Sequence, residues 1–199
     1  MKKNKNTGRI RRRLTPEARR IELLEAALQV LNTIGPANAR VEDITKTAGA
    51  AKGTFYLYFS SWEEMLEAVR EHILSNYVTE MKNRFVCRTP AEWWAAFEDA
   101  CMAFIRFRED LGELHEAIFH GAIAERPVHS ELSPDTIIGW MLKKGIKIGA
   151  CRNVDVEVAS ELVFSVIHTM GDNILLTGER ERYIQTAFEL FRSWLGRTV

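Results

Sequence analysis

The sequence predicts an all-α protein, and three observations lead to this prediction. Apolar residues recur at intervals of three and four along most of the chain after residue 15, which is the spacing of one helix face. Alternating apolar and polar residues, which mark strands, do not occur. Helix-capping and glycine positions divide the chain into segments of helical length. We expect a basic flexible arm over residues 1–15, a three-helix unit over 16–60 and a larger helical domain over 61–199.

Charge is unevenly distributed, although the formal net charge of the 199 residues is zero. Residues 1–60 contain 12 Lys and Arg against 5 acidic residues, which gives +7, and residues 61–199 carry −7. Nine of the 12 basic residues lie within the first 20 positions. The arm is therefore either a solubilising tail or a segment that contacts a polyanion.

Several classes of protein are excluded by what the sequence lacks. No apolar run approaches the ~20 residues that span a bilayer, and no apolar segment follows the basic start, so we expect a cytoplasmic protein. Cys87, Cys101 and Cys151 are too widely spaced for a disulfide framework or a zinc ribbon. His115 and His120 are five apart, so we expect them on different helix faces. Without catalytic or phosphate-binding motifs, the sequence predicts no enzyme, no metal site and no cofactor.

Residues 40–59 have the pattern of two short helices joined by a tight turn. Val41, Ile44 and Ala48 share one helix face, and Gly49 can adopt the left-handed conformation that ends a helix. A second helix from about Lys52 to Phe59 would turn its phenylalanines inward. This is the helix-turn-helix arrangement, in which the second helix enters the DNA major groove.

The residues after the turn are more specific than the geometry. They resemble the DNA-binding signature of the TetR family of bacterial transcriptional repressors, and they read Lys52-Gly53-Thr54-Phe55-Tyr56-Leu57-Tyr58-Phe59, followed by Ser61-Trp62-Glu63-Glu64-Met65-Leu66. Gly35 and the Val41-Glu42-Asp43-Ile44 run extend the resemblance to about residues 21–66. The chain departs from the family pattern in four places, where Arg40 replaces a capping threonine, Thr45 an alanine, Ala51 a serine and Trp62 a lysine.

The resemblance implies a homodimeric repressor that binds an inverted-repeat operator in double-stranded DNA and responds to a small-molecule effector. The candidate DNA contacts are Arg40, Lys46, Lys52, Gly53, Thr54, Tyr56 and Tyr58. The alternative is a helical protein-interaction module whose helix-turn-helix does not read DNA.

Helix signals also divide the rest of the chain. Thr15-Pro16 opens the first helix, which carries an apolar stripe of Ile21, Leu24, Leu28, Leu31 and Ile34. Ser61 caps a long helix through a Ser-x-x-Glu box, and Thr89-Pro90 opens the next. Further helices are expected over 111–124, 134–148 and 154–176, and a last one follows Gly178. A loop is expected over 128–134.

Aromatic residues are concentrated in the helical domain, and two interpretations of them stay open. They form either an ordinary core or a pocket for an apolar or aromatic effector, since small-molecule pockets are mostly apolar. The candidate ligand-binding residues are Trp93, Trp94, Phe97, Cys101, Phe104, His115, Trp140, Phe164 and His168.

The last two helices are rich in apolar residues. In the TetR family this pair forms a four-helix bundle with a second subunit, which is what the resemblance implies here. The candidate dimer interface consists of Val163, Ile167, Met170, Ile174, Ile184, Phe188, Phe191 and Leu195.

Overall fold

The helices follow one another with short connections, and no strand occurs among the residues that the structure describes. The computed structural model describes residues 15–121, 123–124 and 130–196. The all-α prediction is confirmed. The chain divides into two compact units between residues 65 and 66. The basic arm lies outside the described residues, except for Thr15.

The first unit contains α1 (Pro16–Ile34), α2 (Val41–Thr47), α3 (Lys52–Tyr56) and the start of α4 (Trp62–Arg84). The Thr15 hydroxyl accepts a hydrogen bond from the Ala18 N–H, and Gly49 has a φ of +59° between α2 and α3. These features agree with the predictions from the sequence. Helix α3 is shorter than predicted: it ends at Tyr56. At the start of α2, Asp43 accepts from the Arg40 N–H at 3.1 Å, which is the half of a capping box that does not depend on a threonine at position 40.

The core of the first unit differs in one respect from the predicted stripe. Ile21 and Ile34 are 46% and 42% exposed, whereas Leu23 and Ala27 are fully buried. The helix is apolar over a wide arc, so spacing alone does not select the inward face. Phe55 and Phe59 are buried as expected and their rings contact each other. Other buried residues of this unit are Leu24, Leu31, Ile44 and Met65.

The second unit contains the rest of α4 together with α5 (Pro90–Leu111), α6 (Glu113–His115), α7 (Pro134–Lys147), α8 (Val156–Thr177) and α9 (Arg180–Leu195). Ser61 and Thr89 cap α4 and α5 as predicted, each accepting from the backbone N–H three residues later. The predicted helix over 111–124 is wrong in form: α6 is one turn long and continues as a π-helical turn, Glu116–His120. A short 3₁₀ turn, Ser130–Leu132, lies in the expected loop.

Helix α8 lies at the centre of the second unit, with α5, α7 and α9 packed against it. Asp155 caps its start and Gly178, with a φ of +74°, ends it. None of the described helices combines the length and the apolar character that a membrane span requires.

Candidate nucleic-acid interface and interior sites

The exposed face of α3 brings together most of the candidate DNA contacts. Lys52, Gly53 and Tyr56 are exposed, while Thr54 and Tyr58 are half-buried. The rings of Phe55 and Phe59, 5.3 Å apart, anchor the opposite face in the core. Arg40 and Lys46, near the two ends of α2, are also exposed. This arrangement presents a short helix with cationic and hydroxyl groups on its free side.

Lys52 forms an ion pair that links α3 to α2. Its Nζ lies 2.5 Å from Glu42 Oε1, and this hydrogen bond lowers the pKa of Glu42 and raises the pKa of Lys52. Both groups are in water, where such pairs are weak. Lys52 is therefore positioned by Glu42 yet free to exchange this partner for a phosphate or a base.

Gly53 is not required by the protein's own packing. A Cβ at this position would have no atom within 4 Å, and the φ of Gly53 is not positive. The space above it is open on the same face as Lys52 and Tyr56. A glycine there allows a partner molecule to approach the backbone of α3 closely.

The three tryptophans among the aromatic candidates do not line the small cavity in the second unit. Trp93 is fully buried, stacks on Phe97 at 4.9 Å between ring centroids and donates its indole N–H to the Met141 carbonyl at 2.9 Å. Trp94 and Trp140 are half-buried. Arg192 packs over the Trp94 ring and Lys144 over the Trp140 ring, each at 5.3 Å from the ring centroid. These three tryptophans contribute to packing in this structure, and their part in a ligand site stays a prediction.

A small cavity of about 30 Å³ does lie in the core of the second unit. Four of the candidates line it, namely Phe97, Cys101, Phe104 and Phe164. Its volume is close to that of one water molecule in the liquid. Burial raises the pKa of the Cys101 thiol, so this wall of the cavity stays uncharged. The remaining candidates, His115 and His168, do not line it.

His115 and His168 instead belong to a polar cluster between α5, the π-helical turn and α8. The buried Arg108 donates to the His168 carbonyl at 3.1 Å and forms an ion pair with Asp172, whose other oxygen lies 3.1 Å from His168 Nδ1. Burial, and then the charge of Arg108, lower the pKa of His115 to about 4. Burial also lowers the pKa of His168, against the opposing effect of Asp172. The pKa of Asp172 is lowered because the hydrogen bond and charge of Arg108 outweigh its burial.

Most of the dimer candidates lie in the core of a single chain. Val163 and Leu195 have no exposed surface, and 5% or less is exposed for the other buried candidates, Ile167, Met170, Ile174 and Phe191. Only Ile184 and Phe188 are half-buried. Little of these side chains is left for a second subunit to contact, so their part in a dimer interface stays a prediction.

An apolar groove of about 490 Å³ lies on the same two helices, and two of the buried candidates, Met170 and Phe191, are among the residues that line it. We call this surface the outer face of α8 and α9; its outward-facing residues include Leu162, Ser165, Val166, Thr169, Tyr183, Thr186, Leu190 and Trp194. Leu162 and Leu190 are each about half exposed. The outward-facing residues also follow helical spacing in the sequence, but the buried stripe is more apolar and gives the stronger pattern.

The arrangement of α2 and α3 and the exposed face of α3 are those of a helix-turn-helix protein. Residues 23–69 match the model of the family described as bacterial regulatory proteins, tetR family. The helix-turn-helix unit of this chain therefore belongs to the TetR family.

Individual relatives agree with this assignment. The HTH-type transcriptional regulator YvdT of Bacillus subtilis is 41% identical over 63 residues, a match that spans 32% of each chain, or about a third of that relative's length. A TetR-family regulator from Pectobacterium atrosepticum has a similar fold, with a TM-score of 0.71 at 16% identity over 94% of this chain and all of its own. RolR, solved with its ligand resorcinol, has a TM-score of 0.65 at 19% identity over 92% of this chain and 89% of its own.

Proposed function

We propose that this chain is a DNA-binding transcriptional regulator that acts in the cytoplasm as a homodimeric repressor. The observation that carries the proposal is the exposed face of α3, where Lys52, Gly53 and Tyr56 lie together in the part of the chain that the family model matches. Lys52, Thr54 and Tyr56 would contact base edges, with Arg40, Lys46 and Tyr58 on phosphates. A symmetric dimer would present two such helices, so the operator would be an inverted repeat.

An electrophoretic shift with the DNA upstream of the chain's own gene tests this proposal. Lys52→Ala and Tyr56→Ala should each weaken binding about 5- to 150-fold, because a good base contact contributes about 1–3 kcal/mol. Lys82→Ala is the matched control, since Lys82 is an exposed lysine near the end of α4 in the second unit. Operator affinity that survives both α3 substitutions would favour the alternative, a helical interaction module that does not read DNA.

The proposed homodimer would form through the outer face of α8 and α9. Two observations support this location: the apolar groove is open, and its Leu162 and Leu190 are about half exposed to water in a single chain. Contiguous exposed apolar surface of this kind marks interaction sites. A two-fold axis through the groove would let the same residues of both subunits cover one another.

A small, predominantly apolar or aromatic effector is the remaining part of the proposal. The aromatic lining of the cavity between α4, α5, α7 and α8 supports this chemistry, and so does the resorcinol bound by RolR. Because pockets for such ligands begin at about 300 Å³, the 30 Å³ cavity would have to widen about tenfold. Helix α4, which continues from one unit into the other, would carry the resulting displacement to the DNA-binding unit.

Coupling between effector and operator is reciprocal and can be measured. An effector that releases DNA about 100-fold needs roughly 2.7 kcal/mol of differential binding, and operator DNA must then weaken effector binding by the same factor. Tryptophan fluorescence would follow titrations of an apolar or aromatic compound with and without operator. Equal affinities in the two titrations would show that the compound is not an inducer.

A further inference from the structure

The π-helical turn Glu116–His120 places two histidines on the same side of the chain. In an α-helix, residues five apart differ by about 140° in direction, which is why the sequence predicts different faces. A π-helix closes its hydrogen bonds from i to i+5, so residues five apart lie closer to the same side of the helix. His115 and His120 have ring centroids 5.2 Å apart. The prediction of separate faces is therefore wrong, because the local helix type differs.

Three metal-binding side chains meet at this turn. One ligand atom each from His115, Glu116 and His120 lies within 4.8 Å of the other two, and His115 Nδ1 is 3.7 Å from Glu116 Oε1. Nitrogen and oxygen ligands at 2.0–2.2 Å from a tetrahedral Zn²⁺ are about 3.3 Å apart. The set would have to close by at most about 1.5 Å. Glu116 and His120 are exposed, so their side chains have room for this rotation.

A fourth histidine lies beside the three. The ring centroid of His168, on α8, is 5.8 Å from that of His120. Its Nδ1 faces Asp172 at 3.1 Å, which leaves Nε2 as the nitrogen with a free lone pair. A carboxylate that holds one ring nitrogen of a histidine while the other binds metal is a recurrent arrangement. The cluster thus contains both candidate ligands and an orienting partner.

The local charge also favours a cation. Among the described residues of the cluster the basic one is Arg108, and Asp172 neutralises it through their ion pair. Glu116 then leaves one net negative charge beside the two imidazoles. Two imidazoles and a carboxylate suit Zn²⁺, Co²⁺, Ni²⁺ and Cu²⁺, whereas Mg²⁺ and Ca²⁺ prefer all-oxygen sites.

We propose that His115, Glu116 and His120 bind a divalent transition-metal ion of the Zn²⁺ class, with His168 supplying a fourth ligand. This site is separate from the small aromatic-lined cavity. It would let the protein bind a metal ion although its sequence contains no metal-binding motif. Binding would join the π-helical turn to α8, since the ligands come from both segments.

Calorimetric titration of the untagged, chelator-treated protein with Zn²⁺ tests the proposal, with Co²⁺ absorption reporting the coordination geometry. We expect one ion per chain and at least a tenfold loss of affinity in Glu116→Gln and in His120→Ala, since the loss of even an outer-sphere partner costs about 10- to 100-fold. Both residues are exposed, so the variants should keep the wild-type helicity. His72→Ala is the matched control, because His72 lies in α4 and pairs with Asn76.

Two results would overturn the site: no saturable Zn²⁺ binding, or an affinity that both substitutions leave unchanged. His168→Gln should also weaken binding at least tenfold, and an unchanged affinity in that variant would remove His168 from the ligand set. The titrations contain no DNA. Failure of the metal site and failure of the proposed DNA binding are therefore distinguishable.

Discussion

Gly139 and Gly145 lie in the same helix, α7, but a side chain would meet different surroundings at the two positions. A Cβ at Gly145 would be 2.6 Å from Cε2 of Trp93 and 2.8 Å from Sγ of Cys151. At Gly139 the nearest atom, in Val156, is 3.5 Å away, which is an ordinary contact. Trp93 is fully buried and held by its hydrogen bond, so it cannot move aside without losing packing.

We therefore predict opposite effects of two alanine substitutions. Gly145→Ala should lower the free energy of unfolding by about 1–3 kcal/mol, because overpacking outweighs the gain in helix propensity. Gly139→Ala should leave it unchanged or raise it by up to about 1 kcal/mol. Urea denaturation followed by circular dichroism measures both. Equal stability of the two variants would contradict the close approach of Trp93 to α7.

A substitution at Gly53 can distinguish an effect on folding from an effect on the proposed DNA contact. Because a Cβ there meets nothing and φ is not positive, Gly53→Ala should leave the free energy of unfolding unchanged or raise it by up to about 1 kcal/mol. Operator affinity should fall at least about tenfold, or 1.4 kcal/mol, since the added methyl group occupies the space that the DNA would fill. Thermal unfolding and the electrophoretic shift measure the two effects. Tight operator binding by this variant would show that DNA does not approach α3 at Gly53.

At the scale of elements, α8 and α9 each carry two apolar faces. The sequence pattern is strongest for the face that contains Val163 and Leu195, and this is the face that the chain itself buries. The weaker stripe, with Leu162 and Leu190, remains half exposed. An interface with a partner has to use what intramolecular packing leaves uncovered, so the proposed seam lies on the weaker stripe.

Charging this stripe should separate the subunits. We expect the wild-type chain to sediment as a dimer and a Leu162→Asp, Leu190→Asp variant as a folded monomer, since burying each leucine contributes about 1.5–3 kcal/mol. Leu176→Asp is the control, because Leu176 is 83% exposed in α8 but does not line the groove. Sedimentation velocity, with circular dichroism to verify folding, makes the comparison. A double variant that still sediments as a dimer would refute the outer face as the seam.

At the scale of the whole molecule, charge is divided along the chain. Residues 1–60 carry +7 and residues 61–199 carry −7. The proposed DNA-binding unit is thus attached to an acidic domain that would be repelled by phosphate. This division would orient the molecule as it approaches DNA.

The basic arm should contribute to the salt dependence of DNA binding. Deleting residues 2–13 removes seven basic residues, and each lost phosphate contact should reduce the slope of log affinity against log salt by about 0.9. A shorter deletion of residues 2–6 removes three of them and should give a smaller change. Affinities measured over a series of salt concentrations provide the slopes. Equal slopes for the full chain and both deletions would identify the arm as a tail without DNA contacts.

The sequence by itself determined the features that depend on a few neighbouring residues. The caps at Thr15, Ser61 and Thr89 and the turn at Gly49 are local, because each bond or conformation involves residues within about four positions. The helix-turn-helix could be predicted for the same reason. Its inward phenylalanines and exposed Lys52 follow from the helical period alone.

Only the tertiary structure decided the features that depend on distant residues. Which residues of α8 stay exposed to a partner depends on what α5, α7 and α9 cover, and the helical spacing alone does not contain that information. Phe97, Phe104 and Phe164 pack so closely around the cavity in the second unit that it holds about 30 Å³, a result of complementary shapes. His115 and His120 come together because one turn adopts the π form. The spacing of apolar residues in the sequence does not distinguish this turn from an α-helical one.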